Sequence, residues 1–405
     1  MNNSRRHFLK KSSGILPLLL VPSFFSNCSN LEASKVKIEA IDLYLINVKK
    51  ERHFSYGVWK NRQHVMLSIK AGGHTGWGET KVSSNNPDFD LNNWAAEFSG
   101  IKGMDLNAAI EKGRNCFFDK KWSAVISEGV LMALYDLMGK IANKPTIKMW
   151  GLQGDQPIPA IFCILEKNAE AVVIQAKIAK VQNMHRYVKV KMFGDFETDK
   201  KNISALRAFL GPDSFIVGDP NRGYKYIKDL DQLANVLIEL NKAGMNAIED
   251  PSSLSKEEFI YIQSKVGELS IIPDHIMRPA KKSIEFFDSK MGDYFNFHPN
   301  TMGTFLEINK LSSIVRASKK GIMIGDSSLV GAACTFWQQL AVGNEASWVE
   351  AMEKPQENDS FLNCVIDKAT YLNSEGKVEV NFKPGFGLKV NEKKLLSLAD
   401  SHLNI

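Results

Sequence analysis

The sequence predicts an α/β barrel with a small α+β domain in front of it. Two observations predict this fold. From about Pro157 onward, short apolar runs alternate strictly with helical stretches, the signature of a parallel sheet. Eight such runs occur, which favours a closed barrel over an open sheet. They are 160–165, 187–192, 215–219, 247–249, 270–274, 294–298, 322–324 and 348–350.

A third observation concerns chemistry. The runs end on Lys191, Asp219, Glu249, Asp274, His298, Asp326 and Glu350, at steps of 28, 30, 25, 24, 28 and 24 residues. Each step is one helix plus one strand. In a barrel the strand C-termini share one mouth, so these residues converge there.

The helices between the runs are amphipathic. Ile227, Leu230, Leu233, Leu237 and Leu240 fall on one face, as do Phe305, Ile308, Leu311 and Val315. Ahead of the barrel, residues 36–80 read as a strand meander with a Gly72-Gly73 turn, and residues 90–150 as helices. The division expected is a leader at 1–33, a capping domain at 34–155, the barrel at 156–354, and a segment at 355–405 that packs back on the cap. A length of 405 residues accommodates these parts.

The leader is an address rather than part of the fold. Ser4-Arg5-Arg6-His7-Phe8-Leu9-Lys10 matches a twin-arginine export signal, and the apolar stretch 14–25 is too short to span a bilayer. Export to the periplasm follows, or a lipid anchor on a membrane if Cys28 is acylated. The net charge of +6 is mostly this leader's. Residues 1–27 carry Arg5, Arg6, Lys10 and Lys11 and no acid, and the remainder is left near neutral. That balance gives no case for nucleic acid. Cys116, Cys163, Cys334 and Cys364 lack zinc spacing and read as buried thiols.

Asp219, Glu249 and Asp274 end three consecutive strands. Three carboxylates in phase can hold one hard divalent cation, and an oxygen-only set suits Mg²⁺. Asn221, two residues beyond Asp219, can hydrogen-bond the site from behind. Lys189 and Lys191 alternate by two and therefore share a face. Burial and mutual repulsion are expected to lower their pKa values, which would make a usable general base.

The set Lys189-Val190-Lys191, Asp219-Pro220-Asn221, Glu249-Asp250-Pro251 and Asp274 resembles the enolase superfamily in its mandelate racemase and muconate lactonizing branch. The resemblance covers nearly all of the chain after the leader, including Gly76-Trp77-Gly78-Glu79-Thr80 and Pro384-Gly385-Phe386-Gly387. It implies a modified (β/α)₇β barrel under an α+β cap, Mg²⁺ on Asp219, Glu249 and Asp274, and Lys191 as the base that removes a proton next to a substrate carboxylate. Lys189 would lie close to that carboxylate, and Glu350 would hydrogen-bond it. Arg52, His53, Tyr56 and Trp59 would lie on a substrate-selecting cap loop. A homo-oligomer is also implied.

Two positions depart from the pattern. The muconate lactonizing and dipeptide epimerase types carry a lysine after strand six, where this chain has His298. The mandelate racemase type has an aspartate on strand six and a histidine after strand seven, and here the order is exchanged. The expectation is that His298 is the second acid/base and that Asp326 orients it. An imidazolium is a good acid for a poor leaving group, so dehydration of a hydroxy acid or sugar acid is the favoured reaction. Racemisation, epimerisation or cycloisomerisation would use the same parts. The readings from other classes are a metal-dependent binding protein without catalysis and a surface lipoprotein.

Overall fold

The computed structural model describes residues 35–85, 89–353 and 359–405. The twin-arginine leader and Cys28 lie outside the described residues.

The cap begins with β1 (Ala40–Val48), the hairpin β2 (Arg52–Phe54) and β3 (Gly57–Trp59), then β4 (Arg62–Ala71) and β5 (His74–Ser83). β1 and β4 pair antiparallel along their whole length, from Ala40 opposite Lys70 to Val48 opposite Arg62. β4 turns into β5 through Gly72 and Gly73, both at positive φ, the two-residue turn that matches strand twist. Helices α1 (Leu91–Ala96), α2 (Leu106–Phe118) and α3 (Ala124–Ile141) follow. α3 lies directly on β5. A Cβ at Gly76 would stand 2.1 Å from the Ala133 carbonyl oxygen, and one at Gly78 2.3 Å from that of Gly129. The two glycines of the Gly-Trp-Gly run are therefore explained by this close approach.

After α4 (Thr146–Met149) and the short β6 (Ile158–Pro159), the barrel strands are β7 (Phe162–Ile164), β8 (Tyr187–Lys191), β9 (Phe215–Asp219), β10 (Ala247–Glu249), β11 (Ser270–Ile272), β12 (Tyr294–Phe297), β13 (Gly321–Ile324) and β14 (Trp348–Val349). β7 to β11 form one parallel run and β12 to β14 another. Two seams close the ring. Asn296 N donates to Pro273 O at 3.0 Å, and Ile161 N to Val349 O at 2.9 Å. Helices α5 (Ala169–Val181), α6 (Phe196–Leu210), α7 (Leu230–Lys242), α8 (Lys256–Lys265), α9 (Ala280–Phe286), α10 (Phe305–Ala317) and α11 (Ala332–Gly343) each follow one of the first seven strands. This is the (β/α)₇β arrangement.

Local chemistry starts these helices. Asp195, Asp229 and Ser255 cap α6, α7 and α8 with side-chain oxygens, and Ser255 with Glu258 forms a full capping box. Leu233, Ala234, Leu237 and Leu240 bury the inner face of α7. Inside the ring, Val217, Ala247, Ile272, Met323 and Trp348 pack with Tyr187, Phe215 and Tyr294. They fill the N-terminal end, so the free volume is at the opposite mouth, under the cap.

The tail comprises α12 (Asp359–Leu362), β15 (Val365–Asp367), β16 (Thr370–Leu372), β17 (Lys377–Val380), β18 (Lys389–Val390), α13 (Glu392–Leu398) and β19 (Ser401–Asn404). β17 pairs with β6, and β19 joins the cap sheet beside β1.

Three buried acids tie cap to barrel and tail. Glu79 on β5 accepts from Val330, Gly331 and Ala333 N–H at the start of α11 and meets His64 Nδ1 at 3.0 Å. Asp136 on α3 accepts from Trp77 N at 2.8 Å and Phe386 N at 2.7 Å. Glu128 on α3 accepts from the backbone N–H groups of Asn300, Met302 and Gly303, the loop that follows His298.

Candidate active site

The mouth of the barrel is lined by the ends of β8 to β14. Both β8 lysines are buried there. Lys189 Nζ lies 2.8 Å from Asp219 Oδ2, 2.8 Å from Glu249 Oε2 and 2.9 Å from Glu350 Oε2. Lys191 Nζ donates to Asp219 Oδ2 and, at 3.2 Å, to Asn221 Oδ1. Asn221 sits at φ +46 and Asp250 at φ +40. This left-handed backbone costs about 1–2 kcal/mol in an ordinary residue, least in Asn and Asp. It turns the chain sharply as it leaves β9 and β10.

Asp250 accepts from Asp274 N at 2.8 Å and His275 N at 2.9 Å, and so fixes the start of the loop after β11. Asp274 itself is held by Arg278, whose Nε reaches Oδ1 at 3.0 Å while a terminal nitrogen bonds Oδ2. Asn296 Nδ2 donates to Glu249 Oε1 at 2.9 Å.

The electrostatics correct one expectation. Burial alone would push both lysines down, but the carboxylates outweigh it. Asp219, Glu249 and Glu350 hold Lys189 well above its usual range, and Asp219 raises Lys191 despite the nearby Lys189. The lysine pair is therefore not self-depressing as it stands, because carboxylates lie against both ammonium groups. Burial would raise Asp219 too, but the two lysines lower it. Burial and the neighbouring Asp219 drive Glu249 well above the carboxylate range. Burial and Asp274 push Asp250 up to about 7.

His298 and Asp326 do not assemble as expected. His298 Nδ1 faces the Pro299 carbonyl oxygen at 2.9 Å, so the backbone orients the ring. Burial, then Arg278, pushes His298 down to about 3. Asp326 Oδ1 instead accepts from Leu329 N, and its charge acts on Lys81. The order exchanged in sequence is not restored in space, because the two side chains leave adjacent strands toward different partners. Glu350, expected at a substrate carboxylate, is 7% exposed and bound to Lys189.

The cap loop divides. Tyr56 and Trp59 line a cavity of ≈ 250 Å³ together with Lys81, Asn221, Arg222, Asp250, Asp274, Arg278 and His298. Arg52 donates to Ser328 Oγ at 2.8 Å, next to the cavity-lining Ser327. His53 lies 3.9 Å from Glu51, and its side chain is 41% exposed. Ser55 Oγ donates to Pro220 O at 2.6 Å and ties the hairpin tip to the β9 turn.

Among the described residues, no three acids, histidines or cysteines close into a shared coordination sphere. The expected ligands Asp219, Glu249 and Asp274 are instead occupied by Lys189, Lys191 and Arg278. The residues nevertheless fit a divalent cation. Glu249 Oε2 is buried without a hydrogen bond, since its approach to Lys189 lies outside hydrogen-bond geometry. Asp219, Glu249, Glu350 and Asp274 are paired with Lys189, Lys191 and Arg278, which leaves one carboxyl group more than the cations. A carboxylate oxygen paired with arginine keeps a lone pair for a metal.

Comparison with known proteins follows the same lines. Residues 171–394 match the enolase C-terminal domain-like family, more than half of the chain. The protein is a member of the enolase superfamily. It is 21% identical to the N-succinyl-L-Arg/Lys racemase of Bacillus cereus, over 90% of this chain and 98% of the racemase. It is 22% identical to a D-galactonate dehydratase family member of Salmonella virchow, over 66% of this chain and 72% of that one. Its fold matches a dipeptide epimerase from Cytophaga hutchinsonii complexed with Mg and the dipeptide D-Ala-L-Val, with a TM-score of 0.75 and 18% identity, over 91% of this chain and all of that one. The superfamily member described here is thus an enzyme of the isomerase or lyase class.

Lys81, Arg278, Asp250, Asn296 and Phe54 were missed by sequence reasoning. Arg278 follows Asp274 by four residues, a spacing that could have shown the pair. Lys81 follows Glu79 by two on one strand, so it shares the face of a buried acid.

Proposed function

We propose that the protein removes the proton α to a carboxylate in a Mg²⁺-dependent reaction, with Lys191 as the base. The observation that carries this reading is Lys191 Nζ bonded to both Asp219 and Asn221 at the mouth of the barrel. Asp219, Glu249 and Asp274 would hold the cation. A bound cation supplies positive charge against the negative charge that develops on the substrate carboxylate. Lys189 keeps Asp219 ionised and holds Glu249 in place. With Asp219 committed to a cation, burial and the Lys189 ammonium are left to push Lys191 toward its neutral form. Asn221 then orients the amine, and Phe54, whose ring centroid is 5.5 Å from Lys191 Nζ, shields it from water.

Proton return, giving racemisation or epimerisation, is the favoured outcome. The racemase and epimerase relatives that cover most of this chain support it. Dehydration of a hydroxy or sugar acid is the second reading, supported by the dehydratase family members. We place the reaction outside the cytoplasm on the strength of Ser4-Arg5-Arg6-His7-Phe8-Leu9-Lys10.

The test is incubation of the Mg²⁺-loaded protein in D₂O with hydroxy acids, sugar acids, N-acylated amino acids and dipeptides. α-Deuteration with mass otherwise retained supports racemisation or epimerisation. Loss of water supports dehydration. Absence of both from every acid that binds would sink the proposal.

A further inference from the structure

Lys81 reaches the cavity from the cap strand β5, and its Nζ stands 3.6 Å above the Trp59 ring. Among the described residues, no hydrogen bond or ion pair engages this ammonium; the ring face is its contact. A ring face attracts the charge but leaves the ammonium without an acceptor of its own kind. The charges that act most on Lys81 are those of Asp326 on one side and Arg62, Arg52 and Arg278 on the other. Arg278 is paired with Asp274, and the Arg62 and Arg52 guanidinium groups still outnumber Asp326 in their action on Lys81. Burial, opposed by Asp326, pushes Lys81 down to about 7, the cost of taking a charged group out of water without a hydrogen-bonded partner.

The acids that line the cavity do not supply that partner. Asp250 is spent on two backbone N–H groups and Asp274 on Arg278. Arg222, at φ +65, adds another cation to the same wall. Phe54 and Trp59 lie between the two lysines with ring centroids 4.6 Å apart, Lys191 against one ring and Lys81 over the other. The two lysines therefore stand on either side of an aromatic pair.

We propose that Lys81 binds a second carboxylate of the substrate, which is a dicarboxylic acid or an amino acid acylated by one. This rests on the reading above that one carboxylate lies at the Lys191 end. The second carboxylate takes the Lys81 ammonium as its partner and supplies the acceptor that the fold leaves out. Trp59 keeps the ammonium in place before the ligand arrives, which lowers the ordering cost of binding.

The test uses Mg²⁺-loaded protein and ligand pairs that differ only in the distal charge. One pair is an N-succinyl and an N-acetyl amino acid; the other is an aldaric and the matching aldonic acid. Calorimetry is expected to show the dianionic member of at least one pair binding about ten-fold tighter or better, the scale of a charge-assisted hydrogen bond. Lys81→Met should collapse that ratio toward one, and Lys81→Arg should keep most of it. Equal affinities within both pairs in the unaltered protein overturn the proposal, as does a Lys81→Met variant that keeps the ratio or weakens both members alike. If only the proton-abstraction reading is wrong, the charge preference persists while neither member gains deuterium.

Discussion

Arg278 grips Asp274 through two nitrogens four residues away in sequence, so the acid that ends the fifth barrel strand is already paired. A cation that uses Asp274 must share it with that guanidinium. Replacing Arg278 with Ala leaves a buried carboxylate unpaired, which destabilises the metal-free protein by about 3–5 kcal/mol. The same change should raise Mg²⁺ affinity about ten-fold, the scale of one charged hydrogen bond. Calorimetric titration with Mg²⁺ and the Mg²⁺-induced rise in Tm check both signs.

Lys191→Met removes the base and spares Asp219, Glu249 and Asp274. α-Deuteration should fall about 10²–10⁴-fold, the range of general-base catalysis. Substrate and Mg²⁺ should still bind, as measured by calorimetry. A variant that exchanges at the original rate would move the base elsewhere.

Glu128 accepts three backbone N–H groups, and yet burial raises its pKa to about 8 from 4.5. With a folded pKa above the unfolded one, its contribution to stability is fully present below about 4.5 and is lost as pH rises through 8. Glu128→Gln mimics the protonated acid. Urea unfolding should therefore show the natural protein losing stability relative to Glu128→Gln between these limits. Glu128→Ala, which orphans the loop amides, should cost about 1–3 kcal/mol or more at any pH.

Lys81 has the opposite sign. Its folded pKa, about 7, lies below the 10.5 of a free lysine. The penalty is complete below 7 and fades as pH rises from 7 to 10.5. Lys81→Met should thus melt above the natural protein at pH 6, with the gap narrowing toward pH 10. Thermal scans at four or five pH values would show it, and a gap that widens with pH contradicts the assignment.

The barrel was legible because strand ends carry in-phase side chains. Asp219, Glu249 and Glu350 were all brought to one mouth by intervals of one helix and one strand. The partners those acids would take were not legible. Lys189 was expected beside a substrate but bridges Asp219, Glu249 and Glu350, since burial makes any nearby cation bind a carboxylate. Asp326 and His298 were read as a pair from strand adjacency, and adjacency does not fix where a side chain points. Lys81 went unread because it enters from the cap, and no periodicity links a cap strand to a barrel mouth. Arg52, Tyr56 and Trp59 were all named from the sequence, but Arg52, opposite Trp59 in the hairpin, bonds Ser328, a contact that no local pattern shows.

β19 borders β1 in the cap sheet, and Asn47 donates to Asp400 across 353 residues of chain. During synthesis at about 5–20 residues per second, β1 waits roughly twenty to seventy seconds for that neighbour. Through that interval its edge is open, and Ala40–Val48 is a mostly apolar strand. The nascent protein therefore passes through a period of aggregation risk that the finished fold conceals. A product cut short before Ser401 would keep the open edge permanently.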